Sequence, residues 1–247
     1  MDNLNNSTIV KNIYTNQKEI LWNIKELHNN GEDFECDMTY SKGVFYKNKK
    51  DDEFPLNEPK YKFDVVPCVD GVESITPFNK LPLGDNSIQS IVVDLPFVIS
   101  PKTCPSMTKD DSCLIAKRFS SWYPAREGYE NMYWWIKECY RVLKDGGICV
   151  WKMQSTVSGG LQHWYTPFCF MSAQKLGFYV LDEFILESQV RLISKGKYKK
   201  QQHARKYTST FWVFCKDKKR TKDTNDCFKI LDECFNTDLE GKMFELK

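Results

Sequence analysis

A strand that ends on an acid is the feature of this chain that most constrains its fold. Residues 90–97 read Ser-Ile-Val-Val-Asp-Leu-Pro-Phe, a run of β-branched residues that closes on a sharp turn. A short apolar run bounded by turn residues predicts a buried strand, and open α/β folds bind ligands at the carboxyl ends of their strands. Pro96 has no N–H and fixes the backbone after Leu95, so the Leu95 carbonyl can accept a hydrogen bond beside the ring of Phe97. Together with Asp94, these groups suit a planar ligand that carries an NH2 group.

The four residues Asp94-Leu95-Pro96-Phe97 resemble the catalytic motif of the methyltransferases that act on adenine N6 or cytosine N4. In that family the pattern is Asp, Asn or Ser, then a variable residue that is usually Pro, then Pro and an aromatic residue. Leu95 departs from the commonest form, but the role carried at its position is that of the backbone carbonyl. The resemblance implies that these four residues are catalytic and that S-adenosylmethionine is the methyl donor.

A second motif precedes the first. Residues 33–45 predict a short strand that ends near Asp37, followed by a turn from Ser41 to Gly43. This segment resembles the S-adenosylmethionine loop of the same methyltransferases, roughly Asp-Pro-Phe-x-Gly-Ser-Gly, with Tyr40 at the variable position and Ser41 in place of the first Gly. The alternative interpretation is an ordinary surface turn. The resemblance implies that the cofactor contacts of this loop are Asp37, Thr39, Tyr40, Ser41 and Gly43.

The next predicted strand, residues 62–67, carries another acid. Rossmann-like methyltransferases commonly hold the ribose hydroxyls of the cofactor with an acid on their second strand. Asp64 is the candidate for this role, and Asp70 is the second choice. A carboxylate that only faces solvent is the alternative interpretation.

The segment YRVLKDGGICVWK, residues 140–152, combines a helix end, a Gly-Gly turn and a buried strand. It resembles a unit of very many class I methyltransferases and indicates the fold rather than the substrate. The resemblance covers about residues 33–216. It implies an α/β fold of the Rossmann-like class I methyltransferase type, with a mostly parallel seven-stranded sheet, an antiparallel last strand and helices on both faces.

Periodicity and turn residues predict the other elements. The predicted helices are residues 14–30, 127–144 and 162–176, with a further helix in the tail after residue 217. The predicted remaining strands are residues 74–78, 178–186 and 208–216.

The length of the chain suits one large domain, or one domain with a small appendage. Of its 247 residues, 41% are hydrophobic, which is enough for a full core. We expect a polar tail and packing helix at residues 1–32, a catalytic domain at 33–217 and a helical tail at 218–247.

Ten cysteines are scattered without CxxC pairs or zinc-like spacing, so no metal site is expected. Several of them lie in apolar runs, where cysteine behaves as a small core residue. Because the sequence shows neither a signal peptide nor a long apolar run, we expect a reduced, soluble, cytoplasmic protein without a membrane partner.

Two segments are candidates for contact with a nucleic acid. Residues 98–126 form a long loop after the catalytic motif that could close over a base. Residues 191–220 contain eleven Lys or Arg and one acid, and include the phrase QHARKY, which is similar to the C-terminal end of a group of bacterial and phage-type DNA methylases. Thr208 often is His in that group. The alternative is a solvated basic segment. The predicted phosphate-contacting residues are Lys199, Lys200, His203, Arg205 and Lys206.

The resemblance therefore implies methyl transfer to the exocyclic amine of a flipped base in DNA, with adenine N6 as the first hypothesis. Four alternatives stay open: an enzyme acting on cytosine N4, one acting on adenine N6 in RNA, a glutamine methyltransferase acting on protein, and a degenerate fold that only binds a partner. The basic segment favours a nucleic acid over a protein acceptor. The recognition sequence and oligomeric state do not follow from the sequence.

Overall fold

The computed structural model describes residues 9–99, 121–122, 124–158, 160–189 and 203–223. Most of the predicted 98–126 loop, Lys199, Lys200 and the tail beyond residue 223 lie outside the described residues. The domain boundaries proposed above stay a prediction.

The described residues form twelve strands and four α-helices. Its strands are β1 Ile13–Tyr14, β2 Cys36–Asp37, β3 Tyr61–Asp64, β4 Glu73–Ser74, β5 Ile88–Asp94, β6 Val98–Ile99, β7 Ser121–Trp122, β8 Leu143–Met153, β9 Thr156–Ser158, β10 Leu161–His163, β11 Tyr179–Glu187 and β12 Thr208–Cys215. Its helices are α1 Gln17–His28, α2 Ala125–Val142, α3 Tyr165–Lys175 and α4 Lys218–Asp223, with a 3-10 turn at Val44–Tyr46.

Eight strands form the main sheet, in the order β1-β11-β12-β8-β5-β2-β3-β4. β12 runs antiparallel to both of its neighbours, β11 and β8, and the other adjacent pairs are parallel. The predicted α/β class, the mostly parallel sheet and the antiparallel last strand are confirmed. The described sheet has one strand more than the seven predicted, because the two-residue β1 pairs with the edge of β11.

Helices cover both faces of this sheet, as predicted. One face packs against α1 through the fully buried Ile20, Leu21 and Ile24. The other face packs against α2 and α3. Successive side chains of β5 point to opposite faces, so Val92 packs on the α1 side and Val93 on the α2 side. Asp94 is two residues beyond Val92, so it emerges on the α1 side of the sheet.

Some predicted bounds were wrong, and each has a local cause. The predicted helix 162–176 is a hairpin strand followed by α3, which begins at Tyr165, two residues before Pro167, where the first turn tolerates proline. The strand predicted at residues 74–78 is shortened to β4, and Phe78 takes a positive φ of 67° after it. Helix α1 begins at Gln17 because the side chain of Asn16 caps it by accepting a hydrogen bond from a backbone N–H.

A buried ion pair on α2 anchors the chain that enters the catalytic strand. Glu138, whose residue is 3% exposed, accepts hydrogen bonds from the Leu81 N–H and from the guanidinium of Arg141. Arg141 also donates to the carbonyls of Leu81 and Leu83 and to Asp85. These bonds join the LPLGD segment, residues 81–85, to α2, so the chain that leads into β5 is held against this helix.

A buried lysine closes the Gly-Gly turn that follows α2. Lys216, at the end of β12, donates through Nζ to the Asn86 side chain and to the carbonyls of Tyr140 and Leu143. Its backbone pairs with Gly146 and Gly147, and Gly146 takes the left-handed φ of 79° that the turn requires. Lys216 therefore ties the start of β8 to the segment that leads into β5.

Within the described residues, no helix is long and apolar enough to cross a membrane. The described cysteines are free thiols. Five of them are buried, Cys36, Cys139, Cys149, Cys169 and Cys215, as expected of small core residues.

Candidate active site

Three acids lie at the carboxyl ends of three adjacent strands. Asp94 ends β5, Asp37 ends β2 and Asp64 ends β3, and the sheet order places β2 between the other two. Parallel strands bring their carboxyl ends to one edge of the sheet, where α/β folds bind ligands. The structure thus brings together the predicted catalytic acid and both predicted cofactor acids.

A chain of hydrogen bonds links Asp94 to Asp37 through Thr39. The backbone N–H of Asp94 donates to Thr39 Oγ1 over 2.7 Å. Thr39 in turn donates to Asp37 Oδ1 from its N–H at 2.8 Å and from its hydroxyl at 3.2 Å. Tyr46 donates its hydroxyl to the other oxygen, Asp37 Oδ2, at 2.9 Å. The catalytic motif and the cofactor loop are therefore one hydrogen-bonded unit.

Burial raises the pKa of Asp37 from 3.8 to about 7, although its hydrogen bonds from Thr39 and Tyr46 oppose the rise. A carboxylate removed from water is costly unless it is paired. Such an acid becomes a good partner for a cation that enters the site, because the added positive charge favours its ionised form.

The turn after Asp37 takes the left-handed conformation at both ends. Ser41 has φ 51° and Gly43 has φ 63°. Ser41 therefore adopts the backbone conformation that glycine would adopt more easily, at a cost of about 1 kcal/mol. Its N–H donates to Asp64 Oδ2 at 2.8 Å, which ties the turn to the third acid.

Tyr40 lies inside this turn rather than on its surface. Its ring stacks on Tyr46 with centroids 5.5 Å apart and planes inclined by 5°. A Cβ added at Gly43 would lie 2.5 Å from the Tyr40 hydroxyl oxygen and ring Cζ. Glycine at position 43 is thus required twice, by its positive φ and by the ring packed against it.

Replacing Gly43 with Ala is expected to lower the free energy of unfolding by about 2 kcal/mol or more and to weaken cofactor binding at least about tenfold, since Tyr40 must move. Gly146→Ala is the matched control, because Gly146 has φ 79° and nothing within 4 Å of its added Cβ. Urea unfolding and calorimetric titration of both variants measure the difference. Equal losses in the two variants would contradict a specific contact with Tyr40.

Lys152 is a site residue that sequence reasoning missed. It lies on β8 directly opposite Asp94 in the parallel pairing, and its Nζ donates to Asp94 Oδ2 at 2.7 Å. The same Nζ lies 3.3 Å from Gln17 Oε1 at the start of α1. The ion pair orients the carboxylate of Asp94, which stays 25% exposed. The register in which β8 pairs with β5 brings these residues together, and a single sequence does not show how its strands pair.

The rest of the catalytic motif turns back onto the core. Leu95 is buried, and Phe97 is half-buried against the α2 side of the sheet. The indole N–H of Trp122 donates to the Pro96 carbonyl. The turn is thus held from β7, while Asp94 stays at the mouth of the site.

The described part of the basic segment lies beside the hairpin formed by β9 and β10. His203 Nε2 is 2.9 Å from the Gly160 carbonyl oxygen, and Lys206 Nζ lies 5.1 Å from the ring centroid of Trp164. Arg205 is exposed between them. The predicted Lys199 and Lys200 lie outside the described residues.

The donor set suits S-adenosylmethionine, the cofactor that the resemblance implies. Its ammonium and sulfonium groups are cations, for which Asp37 is a buried anionic partner. Its ribose hydroxyls require an acceptor, and Asp64 offers a carboxylate on the next strand. Asp64 also accepts the N–H of Ser41 and of Val66, which fixes its orientation. The charges of Asp37 and Asp64, and their order along the edge of the sheet, therefore fit the cofactor.

If Asp37 faces the cationic cofactor, the affinity for the cofactor must depend on pH. With a pKa of about 7, the ionised fraction of Asp37 rises about fivefold between pH 6 and pH 7. We expect the association constant for S-adenosylmethionine to rise by the same factor over this range. Calorimetric titration of the wild type and of Asp37→Asn checks this. A wild-type slope that persists in the Asn variant would show that another group titrates.

Comparison with known families adds an independent finding. Residues 88–240 match the model of an N6/N4 family described as DNA methylases. The match includes the Asp94 motif and residues 203–206, and it begins after the loop at Asp37. A comparison with curated proteins finds no match.

Several solved structures are similar at low identity. A Thermus thermophilus protein named as a DNA modification methylase, in complex with S-adenosylmethionine, has 14% identity and a TM-score of 0.36, over 55% of this chain and 48% of that one. The cytosine-N4-specific PvuII methyltransferase has 18% identity and a TM-score of 0.38, over 56% and 45%. A TehB-like methyltransferase from Corynebacterium glutamicum has 12% identity and a TM-score of 0.40, over 78% and 86%. The chain spans about half the length of the two DNA methylases.

The family match covers more than half of the chain and contains the strand, the acid and the turn around which the site is built. The sheet order, with an antiparallel strand between two strands that are parallel to the rest, is that of a class I methyltransferase. S-adenosylmethionine is the methyl donor of such enzymes. This chain belongs to the N6/N4 family of DNA methylases.

Proposed function

We propose that this protein transfers a methyl group from S-adenosylmethionine to the exocyclic amine of a base flipped out of DNA, with adenine N6 as the acceptor. One observation carries the proposal. The hydroxyl of Thr39 donates to Asp37, the acid suited to the cofactor, and accepts a hydrogen bond from the backbone N–H of Asp94, the acid suited to the amine. A donor and an acceptor held this close meet the requirement of a transfer reaction for fixed geometry.

In this proposal, Asp94 and the turn after it bind the amine by accepting its hydrogen bonds. Lys152 binds Asp94 Oδ2, so we assign the amine to Oδ1 and to the Leu95 carbonyl. Two acceptors for the two N–H groups hold the nitrogen lone pair out of conjugation with the ring and aim it at the methyl group. Phe97 stacks on the base, and the Trp122 bond to Pro96 keeps this turn in place.

The cofactor supplies a methyl group on a cationic sulfur, which a well-placed amine attacks without further activation. The role of the protein is positioning and charge stabilisation, since the amine gains positive charge as its bond to carbon forms. Asp94 lies beside that charge. The Lys152 ammonium pairs with Asp94 Oδ2 and so fixes the orientation of this carboxylate. The amine proton then leaves to solvent, so Asp94 need not be a strong base.

DNA is the acceptor that the surface near the site favours. A base inside a duplex cannot reach a pocket at the edge of a sheet, so it has to be extruded. Arg205 and Lys206 lie on the chain that contacts the β9–β10 hairpin, and in this proposal they bind phosphates of the DNA. Cytosine N4 is the second candidate acceptor, because its NH2 presents the same two N–H donors to Asp94 and Leu95, and the family includes both activities.

Incubation with methyl-deuterated S-adenosylmethionine tests the proposal. Unmethylated genomic DNA, total RNA and a protein extract serve as separate acceptors, and each is digested and analysed by mass spectrometry. The expected product is deuterated N6-methyladenine from DNA. Label in N4-methylcytosine would favour the second candidate, and label confined to RNA or to glutamine would refute action on DNA. Cofactor binding without any label would indicate a fold that only binds.

A further inference from the structure

The β9–β10 hairpin presents large apolar side chains to solvent next to the active site. Leu161, at the start of β10, is 66% exposed, and Trp164, just after β10, is 57% exposed. A single exposed apolar residue needs no explanation, but these two lie on one short hairpin. Tyr207, the residue after Lys206, is also exposed.

One hydrogen bond ties this hairpin to β6, the short strand that follows the catalytic turn. Ser158 donates its hydroxyl to the Ile99 carbonyl at 3.1 Å, and Ser158 pairs directly with Leu161 across the hairpin. Ile99 is five residues beyond Asp94, a path of at most roughly 17 Å when fully extended. From the other side, β8 ends one residue after Lys152, the partner of Asp94, and β9 follows closely. The hairpin therefore borders the site from which a flipped base has to arrive.

Basic residues lie beside the same hairpin. His203 contacts the Gly160 carbonyl at the tip, and Lys206 lies over the ring of Trp164. Arg205 is exposed between them. Apolar side chains bordered by cations match a nucleic-acid duplex, whose stacked bases are apolar and whose phosphates are anionic.

We propose that the β9–β10 hairpin is the DNA-contacting element that occupies the stack when the base leaves, with Leu161 as the inserted wedge and Arg205 and Lys206 on the adjacent phosphates. This inference rests on the proposed function and deepens it. An apolar side chain pushed between base steps separates them and offsets the lost stacking by filling the gap. The inserted side chain promotes transfer to duplex DNA, where stacking has to be broken. On single-stranded DNA it has little effect.

The test compares Leu161→Ser with the conservative Leu161→Met and with Met171→Ser, a change on α3 at a residue that is 45% exposed. Transfer of labelled methyl groups is measured on genomic DNA in duplex and in heat-denatured form. We expect the duplex-to-single-strand activity ratio to fall at least about tenfold in Leu161→Ser and to stay within about twofold of the wild type in the other two variants. A wild-type ratio in Leu161→Ser would overturn the proposal.

A binding measurement gives a second readout that needs neither activity nor a known recognition sequence. Fluorescence anisotropy compares the affinity for a mixed-sequence duplex with the affinity for the same duplex carrying an abasic site. At an abasic site a side chain can insert without unstacking a base. The wild type is expected to prefer the gapped duplex about tenfold, and Leu161→Ser to lose that preference. If Leu161→Ser keeps the preference, the hairpin is not a wedge, and its apolar surface serves another partner such as a protein. A wild type that labels no DNA at all would instead refute the proposed function itself.

Discussion

Replacing Asp94 with Ala is expected to lower methyl transfer by about a thousandfold or more while leaving the affinity for S-adenosylmethionine within about threefold of the wild type. In the proposed mechanism the side chain of Asp94 binds the amine, whereas its link to the cofactor loop is made by its backbone N–H, which donates to Thr39. Alanine keeps that N–H. Single-turnover transfer to DNA and calorimetric titration with the cofactor measure the two effects separately.

Asp94→Asn is the matched control for this experiment. Asparagine keeps an acceptor oxygen for the amine but loses the charge that pairs with Lys152. We expect an activity between those of the wild type and the Ala variant, with unchanged cofactor affinity. If Asp94→Ala instead abolishes cofactor binding, then Asp94 belongs to the cofactor pocket and the assignment of the amine site is wrong.

Replacing Arg141 with Ala is expected to lower the free energy of unfolding by about 3–5 kcal/mol. The change leaves the carboxylate of Glu138 buried without its cation and removes the hydrogen bonds that hold the carbonyls of Leu81 and Leu83. An unpaired buried charge is among the costliest single defects in a protein interior. The free energy of unfolding is measured by urea titration at pH 7.

Arg126→Ala is the control on the same helix. Arg126 pairs with Glu130 one turn away, and both side chains are largely exposed, so the loss is expected to be barely measurable. Glu138→Gln, combined with Arg141→Ala, should recover part of the loss because it removes the stranded charge. If Arg141→Ala and Arg126→Ala lower the free energy of unfolding equally, the hydrogen bonds between α2 and the LPLGD segment do not stabilise the fold.

Local patterns in the sequence predicted the parts of this molecule whose chemistry is contained in a few adjacent residues. The run of Ile and Val before Asp94 predicted β5, and residues 148–152 were predicted as the buried strand beside it, although β8 begins earlier, at Leu143. Asp37 was predicted at a strand end, whereas Asp64 was predicted inside a strand at residues 62–67 that in fact ends at Asp64. Each prediction used one strand end and the turn after it, and such signals survive in a single sequence.

Features that depend on register or on distant contacts were not predicted. Lys152 faces Asp94 because β8 and β5 pair in one register, and Gln17 reaches the site because α1 crosses that face of the sheet. The last two residues of β10 were predicted as the start of the helix at 162–176, because a strand of three residues is too short to show a period of its own. For Ser41 the sequence predicted the place in the loop, but only the structure shows its positive φ.

We propose that Asp94 and the Asp37 loop form one site that methylates the exocyclic amine of a base in DNA. The nucleoside composition of DNA tests this in a bacterial host without adenine or cytosine-N4 methylation that expresses either the wild type or Asp94→Ala. We expect N6-methyladenine in the DNA of cells with the wild type and none in the DNA of cells with the Ala variant at equal protein level. Methylated adenine at equal levels in both hosts, or in neither while the protein is folded and binds S-adenosylmethionine, would contradict it.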